Sequence, residues 1–334
     1  MVEHEQVITE QQEATKALQI NNNNRKHSFS MNRKTGAMIF YVAMMALPIL
    51  QFVIMYICVN INSILLAFKV YDVNSGLYIY QGFGNFIEAF EEISQPEFLT
   101  AIKNSLILFL FTAGINLPLS IIFSYYIYKK FLAHKFFRIA LYLPCIISSV
   151  VMVTIYLYLM ERAVPEILLL LTGEKTEGLI SRPDTAMGAL LLYSVFFSFG
   201  SITMIIASSM SGINTSVIEA ATLDGCNLFQ EFFYIVFPLS FNVIKLQLIA
   251  ALVGIFTNQM NLYTFFGLQA SPRLYTLGYY LYQGILWHGR PEYPFYAAMG
   301  ICFSCIAIPI IFAFRAWFDR MDPAVENKAK RGGV

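Results

Sequence analysis

The stretch TGAMIFYVAMMALPILQFVIMYICVNINSILLAF, residues 35–68, contains no Asp, Glu, Lys, Arg or His. A helix of about 20 apolar residues is long enough to cross the hydrocarbon core of a bilayer. This run exceeds that length, so it predicts a membrane-spanning helix and sets the class of the whole chain.

Further charge-free runs of similar character follow it. They are Asn104–Tyr128, Ile139–Met160, Thr185–Ile218, Leu246–Pro272 and Tyr293–Phe314. Of the 334 residues, 57% are hydrophobic and 13% charged, whereas soluble domains carry about 25% charged residues. We therefore predict an all-α, polytopic membrane protein with six transmembrane helices.

The connections between these runs differ in charge. KKFLAHKFFR (129–138) is basic without an acid, whereas the connections 69–103 and 161–184 are rich in carboxylates. Short basic connections stay on the cytoplasmic side, so we expect both termini inside. The expected domains are a disordered cytoplasmic arm (1–34), a transmembrane domain (35–320) and a cytoplasmic tail (321–334).

Other classes of protein have little support. The net charge of +1 comes without a basic, aromatic-interleaved patch, so no nucleic-acid partner is expected. The four histidines lie in separate tails and loops, and HExxH and GxSxG are absent, which argues against an enzyme. Cys302 and Cys305 lie in an apolar run, so packing is expected there and no metal site.

The fourth run is rich in small residues, among them Ser198, Gly200 and Ala207. Small side chains let membrane helices approach closely. The pattern predicts tight packing of this helix, and it leaves open whether the neighbour is another part of the chain or a partner protein.

EAATLDGCNLFQEFFYIVFP, residues 219–238, is the charged exception between two apolar runs. Ser216 as N-cap with Glu219 has capping-box spacing, and Gly225 can end that helix. Asn227 can then cap a second helix, and Pro238 marks the entry to the fifth span. We expect two short helices with a sharp bend along the inner membrane face; an ordinary interfacial helix is the simpler alternative.

This loop resembles the EAA loop of binding-protein-dependent ABC importer permeases. The residues that match in register are Glu219, Ala220, Ala221, Asp224, Gly225, Phe232, Ile235 and Pro238. YQGFGNFIEAF (80–90) and FFRIALYLPCIISSVV (136–151) are similar to the outer loop and third-span entry of the carbohydrate-uptake branch, with its maltose-type and glycerol-phosphate-type subunits. Cys226 and Asn214 depart from the usual Ala and Pro.

The resemblance implies a mechanism and a set of partners. Glu219, Ala220, Ala221, Asp224 and Gly225 would form the coupling helix that docks on a cytoplasmic ATPase. The implied partners are a second homologous permease, two ABC ATPase subunits, an extracytoplasmic solute-binding protein and membrane lipid, all at the bacterial plasma membrane. The chain lacks a GxxxxGK[ST] loop, so no cofactor is expected in it, and ATP and Mg²⁺ would bind to the ATPase.

The fifth run holds the densest polar set within an apolar segment, and its members are Thr257, Asn258, Gln259, Asn261 and Tyr263. Polar groups in spans often mark a transport route, and amides beside an aromatic ring suit a sugar. Hydrogen bonding between helices is the alternative. An ion-coupled secondary transporter and an ABC permease for another solute also stay open.

Overall fold

The computed structural model describes residues 33–174 and 176–320. The predicted cytoplasmic arm lies outside these residues apart from its last two, and the predicted tail (321–334) lies outside them entirely. The chain divides into two compact units with the boundary after Ser63.

The described residues are predominantly helical. The helices are α1 (Thr35–Leu66), α2 (Gly84–Glu92), α3 (Pro96–Tyr128), α4 (His134–Ile146), α5 (Ser149–Thr172), α6 (Pro183–Ser211), α7 (Thr215–Leu223), α8 (Leu228–Thr257), α9 (Leu262–Phe266), α10 (Leu277–His288) and α11 (Arg290–Arg320). Short π-helical turns interrupt α1, α3, α5 and α8 at Phe52–Cys58, Thr112–Asn116, Leu159–Ala163 and Phe232–Val236. The first unit contains most of α1, and the other elements belong to the second.

The candidate spans agree with the predicted runs at most positions. Within the described residues, α1, α3, α6, α8 and α11 are long and apolar enough to cross a membrane. A sixth span exists only if α4 and α5, which meet at 104°, count as one.

The third run, Ile139–Met160, is therefore not one straight helix. Ile147 and Ser148 adopt extended backbone between the two helices. Pro144 lies in the last turn of α4, where its missing N–H weakens the helix, and the Ser148 carbonyl then accepts the Met152 N–H at 3.0 Å to start α5.

A β-hairpin also departs from the all-α expectation. Strands β1 (Lys69–Asp72) and β2 (Leu77–Tyr80) pair antiparallel, with Lys69 opposite Tyr80. The Asp72 carboxylate accepts the backbone N–H groups of Asn74 at 3.1 Å and Ser75 at 3.2 Å, as Asp commonly does in turns. Hydrogen bonds from Ser75 and Asn74 hold the pKa of Asp72 below its ordinary value.

The described residues of the second unit form two hydrophobic clusters. The larger joins α3, α5, α6, α10 and α11 and includes the fully buried Tyr193 and Tyr279. The smaller joins α3, α6 and α8 and consists of Leu117, Ile121, Ile206, Met210, Val236 and Ile244. The smaller cluster lies beside the charged loop that follows α6.

Helix α6 packs closely against α3 and α4 within the chain. A Cβ added at Gly200 would lie 1.7 Å from the Leu141 carbonyl oxygen of α4. The Ser124 hydroxyl of α3 donates to the Thr203 carbonyl at 2.8 Å, and the Asn116 amide donates to Ser198 at 2.7 Å. The small residues predicted to permit close approach therefore have neighbours inside this chain.

Gly200→Ala should destabilise the protein by about 1–3 kcal/mol, because the added methyl group must push α4 away from α6. Thermal unfolding of the purified protein in detergent measures this. Gly188→Ala is the matched control in the same helix, since nothing lies within 4 Å of a Cβ built there. Equal unfolding temperatures for the two variants would contradict the close contact.

Candidate functional site

The first helix of the charged loop begins two residues earlier than the sequence predicts. Asn214 is the N-cap of α7, and its side-chain oxygen accepts the Ser216 N–H at 3.1 Å. Ser216 as N-cap is therefore wrong, because Thr215 is already helical. Glu219 consequently does not occupy the capping-box position.

The bend after α7 forms at Gly225, as the sequence predicts. Gly225 has φ +78°, the left-handed conformation that glycine adopts readily. Its N–H donates to the Thr222 carbonyl at 3.1 Å, and the Cys226 N–H donates to the Ala221 carbonyl at 3.0 Å. This pair of bonds is the Schellman pattern of a helix C-terminus, so both ends of α7 are fixed by local contacts.

The second helix of the loop is not a separate element. Asn227 and Gln230 cap it reciprocally, each bond being 2.9 Å long, as predicted. The helix then continues as α8 to Thr257. Pro238 therefore lies within a continuous helix, just after the π turn Phe232–Val236, whose wider hydrogen-bond spacing accommodates a residue without an N–H.

Four of the five predicted coupling residues are exposed. Glu219, Ala220, Asp224 and Gly225 face outward, whereas Ala221 is only 8% exposed and faces the protein. Two apolar side chains that the motif does not include lie near them: Leu223 is 89% exposed and Phe229 is 78% exposed. We call Glu219, Ala220, Leu223, Asp224 and Phe229 the loop surface. The position of Leu223, an apolar residue next to Asp224 of the motif, is the feature of the sequence that could have indicated its part in this surface.

A partly buried ion pair attaches this loop to the end of α3. Glu231 is 4% exposed, and the Lys129 ammonium donates to its two carboxylate oxygens at 3.0 and 2.9 Å. The Tyr125 hydroxyl donates to the Leu228 carbonyl at 3.1 Å. Sequence patterns gave no signal for this pair beyond a lone Glu among aromatic residues.

The polar set of the fifth run begins at the last residue of α8 and continues through the break between helices α8 and α9. Helix α8 ends at Thr257, so one span over Leu246–Pro272 is wrong. The Asn258 side-chain oxygen accepts the Met260 N–H at 2.8 Å, and Asn261 adopts the left-handed conformation with φ +53°. These local bonds compete with helix continuation.

Elements from elsewhere in the chain hold this break in place. The Thr276 hydroxyl donates to the Asn258 carbonyl at 2.8 Å. A Cβ at Gly278 would lie 2.5 Å from the Thr257 carbonyl oxygen. The Asn104 amide of α3 donates to the Arg273 and Tyr275 carbonyls, both at 2.9 Å.

The predicted pathway residues are grouped around the break with different exposure. Thr257 and Asn258 are exposed, and Gln259 and Asn261 are partly buried. Tyr263 is 41% exposed, and its ring lies 5.1 Å from that of Tyr282 in an edge-to-face contact. The structure thus brings the five residues together, with the Asn258 oxygen already used within its own turn.

An acidic cavity of about 650 Å³ lies between α2 and α10. Its carboxylates are Glu88, Glu91, Glu92, Glu97 and Glu292. The Tyr280 hydroxyl donates to Glu92, and burial together with this bond raises the pKa of Tyr280 above its ordinary value. Most of these acids belong to the connection that the sequence predicts to be outside.

Residues 116–327 match the family model described as "Binding-protein-dependent transport system inner membrane component". The matched region contains the capped loop, the anchoring ion pair and the break at Asn258.

The chain belongs to this family.

The resemblance predicted from the EAA loop is thereby confirmed, and the chain is an inner-membrane component. Two relatives in Bacillus subtilis (strain 168) are permease proteins. The polygalacturonan/rhamnogalacturonan transport system permease protein YteP is 25% identical over 63% of this chain and 66% of its own length. The arabinooligosaccharides transport system permease protein AraP is 22% identical over 78% of this chain and 83% of its own length.

Solved structures share the fold. A chain of the bacterial alginate ABC transporter, in complex with a periplasmic protein bound to an alginate pentasaccharide, superposes with a TM-score of 0.67 at 18% identity. The superposition covers 87% of this chain and 98% of that one. The two chains thus share a fold.

Glu231→Gln should destabilise the protein by about 1–3 kcal/mol, because it leaves the Lys129 ammonium without its counter-charge. Thermal unfolding in detergent measures this, and combining the change with Lys129→Met should recover part of the loss. Glu219→Gln is the matched control: it removes a carboxylate from the same loop at an exposed site and should leave unfolding unchanged. Additive losses in the double variant would show that the two groups do not interact.

Proposed function

We propose that this chain is a transmembrane permease subunit of an ATP-driven, binding-protein-dependent importer of sugars or oligosaccharides. The proposal rests on the loop surface. Most of this surface lies on α7, a helix that is capped at both ends, and the chain belongs to this transport family. The chain is a transport component and supplies half of the translocation pathway.

The loop surface is the proposed contact with a cytoplasmic ATPase subunit. Exposed Leu223 and Phe229 supply apolar area, and Glu219 and Asp224 supply charge at its edge. Such a mixture is typical of protein–protein interfaces. ATP and Mg²⁺ bind to the partner, and this chain contributes the docking helix alone.

Motion of the ATPase would reach the spans through two connections. The Glu231–Lys129 pair ties the loop to the end of α3, and α8 continues from the loop without a break to Thr257. A rigid helix moves its ends together. ATPase closure would thereby displace the break at Asn258, where substrate is proposed to pass.

The sugar assignment follows from the break and from the relatives. Side-chain amides and hydroxyls at Thr257, Asn258, Gln259 and Asn261, beside Tyr263, suit hydrogen bonding to sugar hydroxyls and contact with a ring face. The permeases YteP and AraP carry polysaccharide and oligosaccharide names. We propose a neutral or acidic oligosaccharide, delivered by an extracytoplasmic binding protein.

The proposed assembly pairs this chain with a second homologous permease and two ATPase subunits. Both termini of the chain and α7 would lie in the cytoplasm, in keeping with the basic connection 129–138.

Affinity purification of this chain from its native membrane in mild detergent should recover an ATPase subunit and a second permease. Gly225→Leu should lose the ATPase and abolish uptake, because a leucine side chain is strained at φ +78° and re-aims the loop surface. Mass spectrometry of the co-purifying proteins reads out the first result, and uptake of labelled oligosaccharide reads out the second.

Gly173→Leu is the matched control for backbone strain. Gly173 ends the helix Val164–Thr172 at φ +74°, far from the loop in sequence, and its variant should keep the ATPase bound. A wild-type chain that purifies without any ATP-binding protein would refute the importer assignment. If the ATPase and a binding protein co-purify with this chain and the binding protein carries a ligand other than a sugar, the importer assignment would hold and only the proposed substrate class would be wrong.

Asn258→Asp and Gln259→Ala should each weaken oligosaccharide uptake by about fivefold or more, as expected when one or two hydrogen bonds to the substrate are lost. Asn258→Asp retains the oxygen that accepts the Met260 N–H, so the turn persists while a negatively charged carboxylate oxygen replaces the amide donor. Gln269→Ala, at an exposed site beyond α9, is the control. Unchanged concentration dependence of uptake in both variants would remove this site from the pathway.

A further inference from the structure

A basic cavity of about 440 Å³ lies where α3, α4 and α6 meet. It is lined by the end of α3, the first turns of α4 and the last turns of α6. Its charged and hydroxyl side chains include Lys130, Lys135, Arg138, Ser208 and Ser211. We call this the basic cavity.

Within the part of the chain that the structure describes, no carboxylate balances the charge of the basic cavity. None of Lys130, Lys135 and Arg138 forms an ion pair with any residue of 33–174 or 176–320, and its lining includes no carboxylate. Neighbouring Lys129 is instead paired with Glu231. Three cations around one concavity repel one another, and an anion that enters it lowers that energy.

An apolar groove adjoins the basic cavity. The groove encloses about 730 Å³ and shares Arg138, Met204 and Ser208 with the cavity. Its remaining wall on α4 consists of Ile139, Tyr142, Leu143 and Ile146. These follow the three- and four-residue spacing of one helix face, so the groove runs along α4 away from the charges.

The two walls are held at a fixed separation. Gly200 lets α6 contact the Leu141 carbonyl of α4, and the Ser124–Thr203 hydrogen bond ties α3 to α6. The cavity and groove are therefore preformed features of the packed helices.

We propose that the basic cavity and its adjoining groove bind one anionic phospholipid of the surrounding bilayer. The phosphate would lie among Lys130, Lys135 and Arg138, and an acyl chain would lie against Tyr142, Ile146 and Ile205. A ligand with one charged end and one apolar end fits both features, and basic pockets between membrane helices commonly take lipid headgroups. The site is separate from both the loop surface and the break at Asn258.

The test titrates the purified full chain in detergent with phosphatidylglycerol, phosphatidylcholine or free glycerol 3-phosphate, and follows binding by native mass spectrometry and thermal unfolding. Phosphatidylglycerol should bind and raise the unfolding temperature, and the other two should bind more weakly. The double change Lys135→Gln with Arg138→Gln should weaken phosphatidylglycerol about 25-fold, at roughly fivefold for each cation.

Two further variants separate this site from general charge and folding effects. Lys103→Gln removes an exposed lysine elsewhere on α3 and should leave lipid affinity unchanged. Ile205→Trp fills the groove and should weaken binding of the phospholipid without changing binding of glycerol 3-phosphate. Unchanged binding of glycerol 3-phosphate also shows that the basic cavity is intact in this variant. An unfolding temperature of the lipid-free variants equal to that of the parent chain verifies folding.

Equal binding of phosphatidylcholine and phosphatidylglycerol would overturn the proposal, as would a double variant with unchanged affinity. Displacement of the lipid by an acidic oligosaccharide, with the same dependence on Lys135 and Arg138, would assign the cavity to transported sugar instead. None of these results depends on ATPase binding or uptake, so the proposed import function stands or falls separately.

Discussion

Each helix end leaves backbone N–H and C=O groups without partners inside the helix, and lipid offers them no hydrogen bonds. The chain meets this constraint with short polar side chains and glycines. Asn214, Asn227 and Asn258 each accept a nearby backbone N–H, and Gly225 permits the turn between two of them. Those stops determine where the loop surface projects and where the proposed pathway opens.

Local chemistry made much of the fold predictable from sequence. Within the described residues, four of the five candidate spans coincide with charge-free runs, because length and composition alone decide whether a helix can cross a bilayer. The bend at Gly225 and the reciprocal cap of Asn227 and Gln230 depend on residues close in sequence. The eight matching residues of the EAA loop were sufficient for the family, which the family model confirms.

Features that depend on distant residues were not predictable. The Glu231–Lys129 pair joins residues far apart in sequence, and the Gly200–Leu141 contact fixes which face of α6 is buried. The end of α8 before Asn258 could not be predicted because apolar residues continue on both sides of it, so composition did not distinguish a helix break from a continuous span. The bend at Ile147 and Ser148 was hidden in the same way within the third run.

The continuity of α8 has a mechanical consequence. At 1.5 Å per residue, its 30 residues form a rod about 45 Å long. The capped loop lies at one end of this helix and Asn258 just beyond the other. A tilt of α8 by about 5° about its loop end therefore moves the other end by about 4 Å, a little less than the distance between neighbouring strands of a β-sheet. Under the proposed docking of an ATPase on the loop surface, a small rocking of that subunit would be enough, by leverage alone, to shift the break at Asn258 by this distance.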